Sequence, residues 1–509
     1  MLIIARFHIY RKRTNIMAEA AQKQKNSKTA ITPTREENFP EWYQQVIKAA
    51  DMAENAPVRG CMIIKPYGFA MWENVQKHLD ALIKQEDVQN AYFPLLIPMS
   101  YIAREAEHID GFAKECAVVT HHRLSIDEKT GQLGPDKDSM LSEPMIIRPT
   151  SETIIGESMK NWVQSYRDLP LKLNQWCNIM RWEMRPRIFL RTAEFLWQEG
   201  HNAFATAEEA DADARRMLDV YNNMFENYLA IATIPGAKTP DERFPGAIET
   251  YTLETFMQDG KALQGCTSHN LGQTFARSCD IKYLDKDGTQ KLAWTTSWGF
   301  TTRTLGAAIM VHGDDDGMMM PPVLAPHQVA ILPFINDEAD RAKILEACES
   351  VKRMLQAAGV SARVDASEAR SSDKMWAAIK KGVPVRLEIG ARELAEGQVV
   401  FTRRDLGKDG KVKVSIDACA GEVAKALTQM QKDMLERSRA RLKSQITDVA
   451  SLKDVRDYFA ADKTGGLRLD YALVKGSEEF AAIAKEFAVT TRCLPFADGG
   501  EKVIVAKSY

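Results

Sequence analysis

IMRWEMRPRIFLRTAEFLWQEGHNAF, residues 179–204, alternates with a period of two at both ends and breaks in the middle. That pattern predicts two strands joined by a mobile loop, because side chains alternate across a pleat. Arg181 and Glu183 then share one face of the first strand, and the loop carries Arg185, Pro186, Arg187 and Arg191. Phe195, Trp197, Glu199 and His201 share one face of the second strand. A solvated amphipathic hairpin would turn its charges to water and its Val and Ile to a core. Here aromatic rings alternate with charged groups on the same side, which a solvated face does not need. The expectation is a concave site for a planar, anionic ligand.

Arg181-x-Glu183, a loop and then Arg191-x-x-x-Phe195 resembles motif 2 of the class II aminoacyl-tRNA synthetases. The longer string LRTAEFLWQEGH (190–201) resembles the prolyl-tRNA synthetases, in the form shared by archaea, the eukaryotic cytosol and some bacteria. The resemblance runs from about Asn38 to Tyr509. It implies a multidomain chain, α/β and α+β: a class II catalytic domain on an antiparallel sheet (36–317), a linker (318–326), an α/β anticodon-binding domain (327–420) and a small α+β C-terminal domain (421–509). One departure stands in motif 2, where the family often has Leu-Arg-Thr-Arg-Glu-Phe and this chain has Ala193.

Composition agrees with such a reading. A length of 509 residues leaves room for roughly two to four domains. Hydrophobic content of 45% and charged content of 27% are those of a soluble globular chain, with no run long enough to span a bilayer. A net charge of -2 supplies no global basic field, so RNA must be met through local patches and shape. Eight scattered cysteines without a CxxC pair fit reduced thiols in a cytoplasmic protein. Residues 1–35 form a basic tail. Its first sixteen residues, with Arg and Lys but no acid, admit a mitochondrial presequence. A start at Met17 followed by a disordered lead is the favoured reading, and an RNA-touching arm is a third.

Further motifs follow in order. GCMIIKPYGFAMWENVQKHLDALIKQ (60–85) sets Met71, Val75, Leu79, Leu82 and Ile83 at helical spacing. With the strand AYFPLLIP (91–98) and its Pro94 it resembles motif 1, which in the family makes the homodimer. IIRPTSETIIG (146–156) predicts a helix capped at Thr150 or Ser151. The resemblance adds that Thr150 and Glu152 hold the proline ammonium, whose two N–H groups need two acceptors, one of them charged. QGCTSHNLG (264–272) reads locally as a polar loop; by resemblance Gln264 and Thr267 lie near ATP and His269 near proline. Glu254 and Gln264 are the expected oxygen ligands of Mg²⁺. SWGFTTRTLGAAIMVHGDDDG (297–317) resembles motif 3, with Thr301 and Arg303 at ATP, while Asp314–Asp316 reads as a solvated turn.

After residue 326 strands and helices alternate, predicting a mostly parallel sheet. Lys381, Arg386, Glu388, Arg403 and Arg404 sit where the resemblance places anticodon contacts. The C-terminal domain is of a kind that often carries a four-cysteine zinc site, yet here it holds only Cys493 and no His, so no structural zinc is expected. The resemblance implies that Tyr509 tucks back toward the catalytic domain.

The chemistry implied is ATP-dependent attachment of L-proline to tRNA(Pro) through prolyl-adenylate. Arg181 bridges proline carboxylate and α-phosphate, Arg191 and Arg303 meet the outer phosphates, and Thr192 lies beside the nucleotide. Phe195 and Arg303 sandwich adenine, and Glu183 accepts from its amino group. Trp197, Glu199 and His201 close around the pyrrolidine ring. A threonyl enzyme would need a catalytic zinc set that is missing here, and a histidyl enzyme a different pocket string. A synthetase-like accessory protein would normally have lost the motif 2 and motif 3 arginines, and a plain RNA-binding module leaves Thr150, Glu152 and His269 unexplained.

Overall fold

Eleven strands run edge to edge in one sheet, in the order Ile446–Asp448, Gly466–Asp470, Lys502–Ala506, Thr490–Pro495, Ile234–Ala237, Glu249–Phe256, Ala262–Gly272, Trp294–Thr301, Glu194–Phe204, Leu171–Met180 and Gln89–Asn90. This is a computed structural model, and it describes residues 29–106 and 115–509. The strands from Ile234 to Phe204 in that order, and Leu171–Met180 beyond them, are mutually antiparallel. The readings of the basic segment before residue 29 lie outside the described residues.

The helices that back this sheet follow from local sequence. Thr206 and Glu209 form a capping box at the start of Ala207–Asn223, whose Ala210, Ala214, Met217, Leu218 and Tyr221 make one buried stripe. Pro66 opens Pro66–Lys84 at its first turn, where a missing N–H costs nothing, and Met71, Val75, Leu79, Leu82 and Ile83 are buried as their spacing predicts. Both helices join Trp298 and Phe300 of the sheet in the largest core cluster.

Four expectations change. The first folded helix begins at Arg35, under a Thr34–Glu37 capping box, and kinks at Asn38. The residues before it are docked: Ile31 is buried, and its N–H donates to the Asp315 carbonyl at 2.9 Å. The Asp314–Asp316 segment is therefore a clamp and not a solvated turn, since Asp315 pairs with Arg35 at 3.1 Å and Asp314 with Arg404. The loop of the opening stretch is only half free. Trp182 and Met184 are exposed, whereas Ile188, Phe189 and Leu190 are buried and tied down by the Tyr43 hydroxyl, which donates to the Ile188 carbonyl at 2.8 Å. The second sheet, ordered Ala362–Val364, Val329–Phe334, Val385–Gly390, Gln398–Arg403 and Lys411–Ser415, is mixed: its first three strands are parallel and its last two antiparallel.

The long helix Cys419–Ser444 serves two cores. Cys419, Val423 and Leu427 enter the core of the second sheet, while Met430 and Met434 pack on Ala230. The expected break at residue 420 falls inside its first turn. Beyond it, the C-terminal strands do not form a detached unit. Thr490–Pro495 pairs with Ile234–Ala237 and so extends the catalytic sheet.

Candidate active site

A cavity of about 470 Å³ opens where four strands of the large sheet meet the loop that follows Met180. Its walls hold Thr150, Glu152, Arg181, Glu183, Arg191, Thr192, Phe195, Trp197, Glu199, His201, Gln264, Thr267, His269, Thr301 and Arg303. The period of two does the positioning. Trp197, Glu199 and His201 pair across the ladder with Thr301, Gly299 and Ser297, and Gly299 and Ser297 pair in turn with Thr267 and His269. One pleat therefore aims side chains of three strands at the same space. The strand itself ends at Met180, so Arg181 and Glu183 lie at the loop's base, where the Arg181 N–H still donates to the Ala193 carbonyl at 2.8 Å.

One end of the cavity is cationic. The Arg181 Nε donates to the Pro149 carbonyl at 2.9 Å, and its guanidinium lies 5.6 Å from the Trp197 ring and 6.0 Å from the Phe195 ring. Burial lowers its pKa, and the charges of Glu152 and Glu199 oppose that shift. Arg303, the first residue of the helix Arg303–His312, donates from Nε to the Leu190 carbonyl at 3.2 Å. Burial, then repulsion from Arg191, Arg181 and Arg492, brings it down to about 10. Arginines crowded at a helix N-terminus, already the positive end of the dipole, make an anion site. Glu183 accepts from the Arg185 N–H at 2.8 Å and faces Arg191 at 3.8 Å.

The other end is a carboxylate–imidazole network. The Thr150 hydroxyl donates to Glu152. Ser151, expected as a helix cap, makes no cap bond and gives its hydroxyl to Glu199 at 2.5 Å. Glu199 also receives the Gln175 amide at 2.8 Å and faces His201 Nε2 at 3.1 Å. Burial works against both charges of this pair, yet their mutual bond wins: the Glu199 pKa is lowered and that of His201 raised. His269 is the opposite case. It sits between the hydroxyls of Thr250 (3.1 Å) and Thr267 (3.0 Å) and under the Phe244 ring at 4.5 Å. Burial, helped by the charge on His201, pushes it down to about 3, so it is neutral.

Several predicted residues sit elsewhere. Glu254, expected to ligate Mg²⁺, is fully buried, with Lys238 at 2.7 Å on one oxygen and Arg492 at 2.9 Å on the other. It has no free oxygen to offer a metal, whereas Gln264 does face the cavity. Arg403 is paired with Asp405 at 2.8 Å and Asp433 at 2.6 Å, and Arg404 grips Asp314 with both terminal nitrogens, at 2.7 and 2.5 Å. Both arginines are buried and paired, not the exposed strand ends that the sequence suggests. Glu388 faces Lys411 at 3.2 Å, and the Lys381 ammonium lies 5.2 Å from the Tyr67 ring. Arg386 is buried, and its Nε has no partner among the described residues.

Sequence reasoning missed Phe189, Leu190, Glu242, Arg243, Phe244 and Thr250, which also line the cavity. Phe189 takes a left-handed φ of 63° in the tight turn where Arg187 and Arg191 exchange backbone bonds, a conformation no local sequence signal announces. Phe244 had a usable signal, an aromatic flanked by Arg and Pro just after a turn. Ala193 is buried, and its N–H donates to the Gly60 carbonyl at 2.7 Å. Tyr509 does reach the catalytic unit: its hydroxyl donates to Asp259 at 2.6 Å and its N–H to the Ala262 carbonyl at 3.0 Å.

Comparison with known proteins agrees with this geometry. Residues 137–312 match the tRNA synthetase class II core domain (G, H, P, S and T), and residues 328–426 match the anticodon binding domain. The proline--tRNA ligase of Bdellovibrio bacteriovorus is 50% identical over 475 residues, covering 92% of this chain and 94% of the relative. That of Akkermansia muciniphila is 50% identical over 482 residues (93% and 95%), and that of Rhodopirellula baltica 49% over 509 residues (95% and 99%). Identity at this level over nearly the full length, with a class II core and its cavity in place, makes the chain a member of the proline--tRNA ligase family of class II aminoacyl-tRNA synthetases.

Proposed function

We propose that the chain joins L-proline to tRNA(Pro) in two steps, first forming prolyl-adenylate and pyrophosphate from proline and ATP, then transferring the prolyl group to the 3′-terminal adenosine with release of AMP. The observation that carries this reading is one cavity with three arginines at one end and a buried Thr150–Glu152 pair with neutral His269 at the other. In the first step two anions must meet, so the work is alignment and charge neutralisation. Arg181 reaches both the amino-acid carboxylate and the α-phosphate with a planar fork, and its Nε bond to Pro149 holds that fork in place. Arg191 and Arg303 take the outer phosphates, Phe195 and Arg303 enclose adenine, Glu183 accepts from its amino group, and Thr192, Thr267 and Thr301 complete the nucleotide wall.

Thr150 and Glu152 receive the secondary ammonium. Trp197, His201 and His269 bound the ring, with Glu199 holding His201 in place and raising its pKa. Mg²⁺ bound with ATP would offset phosphate charge, and Gln264 is the chain's own ligand candidate for it. No zinc site is assigned to the C-terminal unit, whose single Cys493 and absent His leave no ligand set. In the anticodon-binding domain, Lys381, Arg386 and Glu388 remain the proposed base and phosphate contacts.

The remaining features of this reading rest on sequence. The string at 190–201 and the short segment between Phe204 and Trp294 support the archaeal/eukaryotic-like form without an editing insertion. Motif 1 supports a homodimer. The scattered cysteines without a CxxC pair support a cytoplasmic location, and among the described residues no helix is long and apolar enough to cross a membrane. The test is exchange of labelled pyrophosphate into ATP across all twenty amino acids. Strong exchange with proline and a trace with alanine is the expected result. Silence with every amino acid would favour an accessory protein.

A further inference from the structure

Behind the nucleotide wall lies a buried charge cluster that no step above uses. Glu254 sits opposite Gln264 in the ladder, beside a bulge between Leu253 and Glu254. Its Oε1 receives Lys238 Nζ at 2.7 Å and the Thr252 hydroxyl at 3.1 Å. Its Oε2 receives Arg492 Nε at 3.1 Å and Nη2 at 2.9 Å, while Arg492 Nη1 donates to Thr490 Oγ1 at 3.0 Å. Lys238, Glu254 and Arg492 are 2%, 0% and 7% exposed. Two cations meet one carboxylate in a low-dielectric interior, within reach of Arg303, whose pKa Arg492 lowers and Glu254 raises.

Arg492 comes from the C-terminal strand Thr490–Pro495, not from the catalytic core. We propose that Arg492 is a positioning residue for the nucleotide site, by which the C-terminal unit fixes the Glu254 bulge and thereby sets Gln264. The same unit also grips the strand of Gln264 itself, because the Ala262 N–H donates to the Lys507 carbonyl at 2.9 Å. A surface salt bridge would be worth little. This one is enclosed, fixed at both ends of the fork, and one strand away from a residue of the cavity.

The inference rests on the adenylate-forming reading above, and the same assay separates the two. Proline-dependent pyrophosphate exchange is measured on the full chain with ATP and proline each varied, for the wild type, Arg492→Met and Arg492→Lys, alongside thermal melts. The Met variant is expected to raise KM for ATP about tenfold while KM for proline stays within about twofold, with Lys recovering part of the loss. A purely structural role would lower the melting temperature and move both constants together, and that result overturns the proposal. So does an unchanged KM for ATP in a folded Met variant. Should the Met variant unfold, the Lys variant decides, because it keeps the charge and loses the fork: an unchanged KM for ATP there is equally fatal. A wild type that exchanges with no amino acid removes the functional reading instead.

Discussion

Arg181 donates to the Pro149 carbonyl, faces two aromatic rings and sits in the field of Glu152 and Glu199. Removing it leaves two substrate anions uncompensated in a buried site. Arg181→Ala should cost about 3–5 kcal/mol, a loss of roughly two to four orders of magnitude in adenylate formation. Near-normal pyrophosphate exchange by that variant would end the assignment. His269 makes a different prediction, one of stability. Burial holds its pKa at about 3, against 6.5 when unfolded, so the unfolded chain binds the proton first. Its contribution is complete above pH 6.5 and is lost as pH falls toward 3, by up to about 1.4 kcal/mol per pH unit. In ligand-free protein, His269→Gln should therefore show a shallower fall in melting temperature between pH 7 and pH 5 than the wild type. Equal slopes would mean that His269 is not the buried neutral group described.

The two central strands of the cavity carry glycines that answer different demands. A Cβ on Gly200 would lie 2.0 Å from the Trp298 ring, whereas one on Gly299 would meet nothing nearer than 3.6 Å. Packing thus requires the first glycine and not the second, which lies on the cavity wall. Gly200→Ala should destabilise by about 1–3 kcal/mol, visible as a lower melting temperature. Gly299→Ala should melt like the wild type and lose ATP affinity in exchange assays. A stable Gly200→Ala variant would contradict the packing argument.

At this scale the sequence was informative where pattern is local. Alternation from Phe195 to His201 fixed one face of a strand, and the 3.6-residue spacing in Pro66–Lys84 fixed the buried side of a helix. It was silent where a partner is distant. Nothing near Glu254 announces Arg492, 238 positions away, and nothing near Arg404 announces Asp314, 90 positions away. A charged residue at a strand end looks exposed until the segment that covers it is known.

Across the whole molecule, part-buried polar ties join the cores. Arg404, in the second sheet's unit, holds Asp314, which follows the catalytic helix Arg303–His312, and Asp315 beside it holds Arg35. Arg403 meets Asp405 and Asp433, the latter on the long Cys419–Ser444 helix. These ties fix the distance between the cavity and any RNA surface on the second sheet, which matters for a substrate that must touch both. If Arg404 acts as a tie, Asp314→Asn and Arg404→Gln should each lower tRNA charging while leaving proline-dependent pyrophosphate exchange within about twofold, because exchange needs no RNA. The double variant should then lose no more than the worse single one, the signature of two groups that act only through each other. If Arg404 instead reads the anticodon, Arg404→Gln will weaken charging alone, Asp314→Asn will be close to wild type, and the two effects will add. Charging and exchange measured on the four proteins distinguish these arrangements, since the second mutation in a true tie finds its partner already gone.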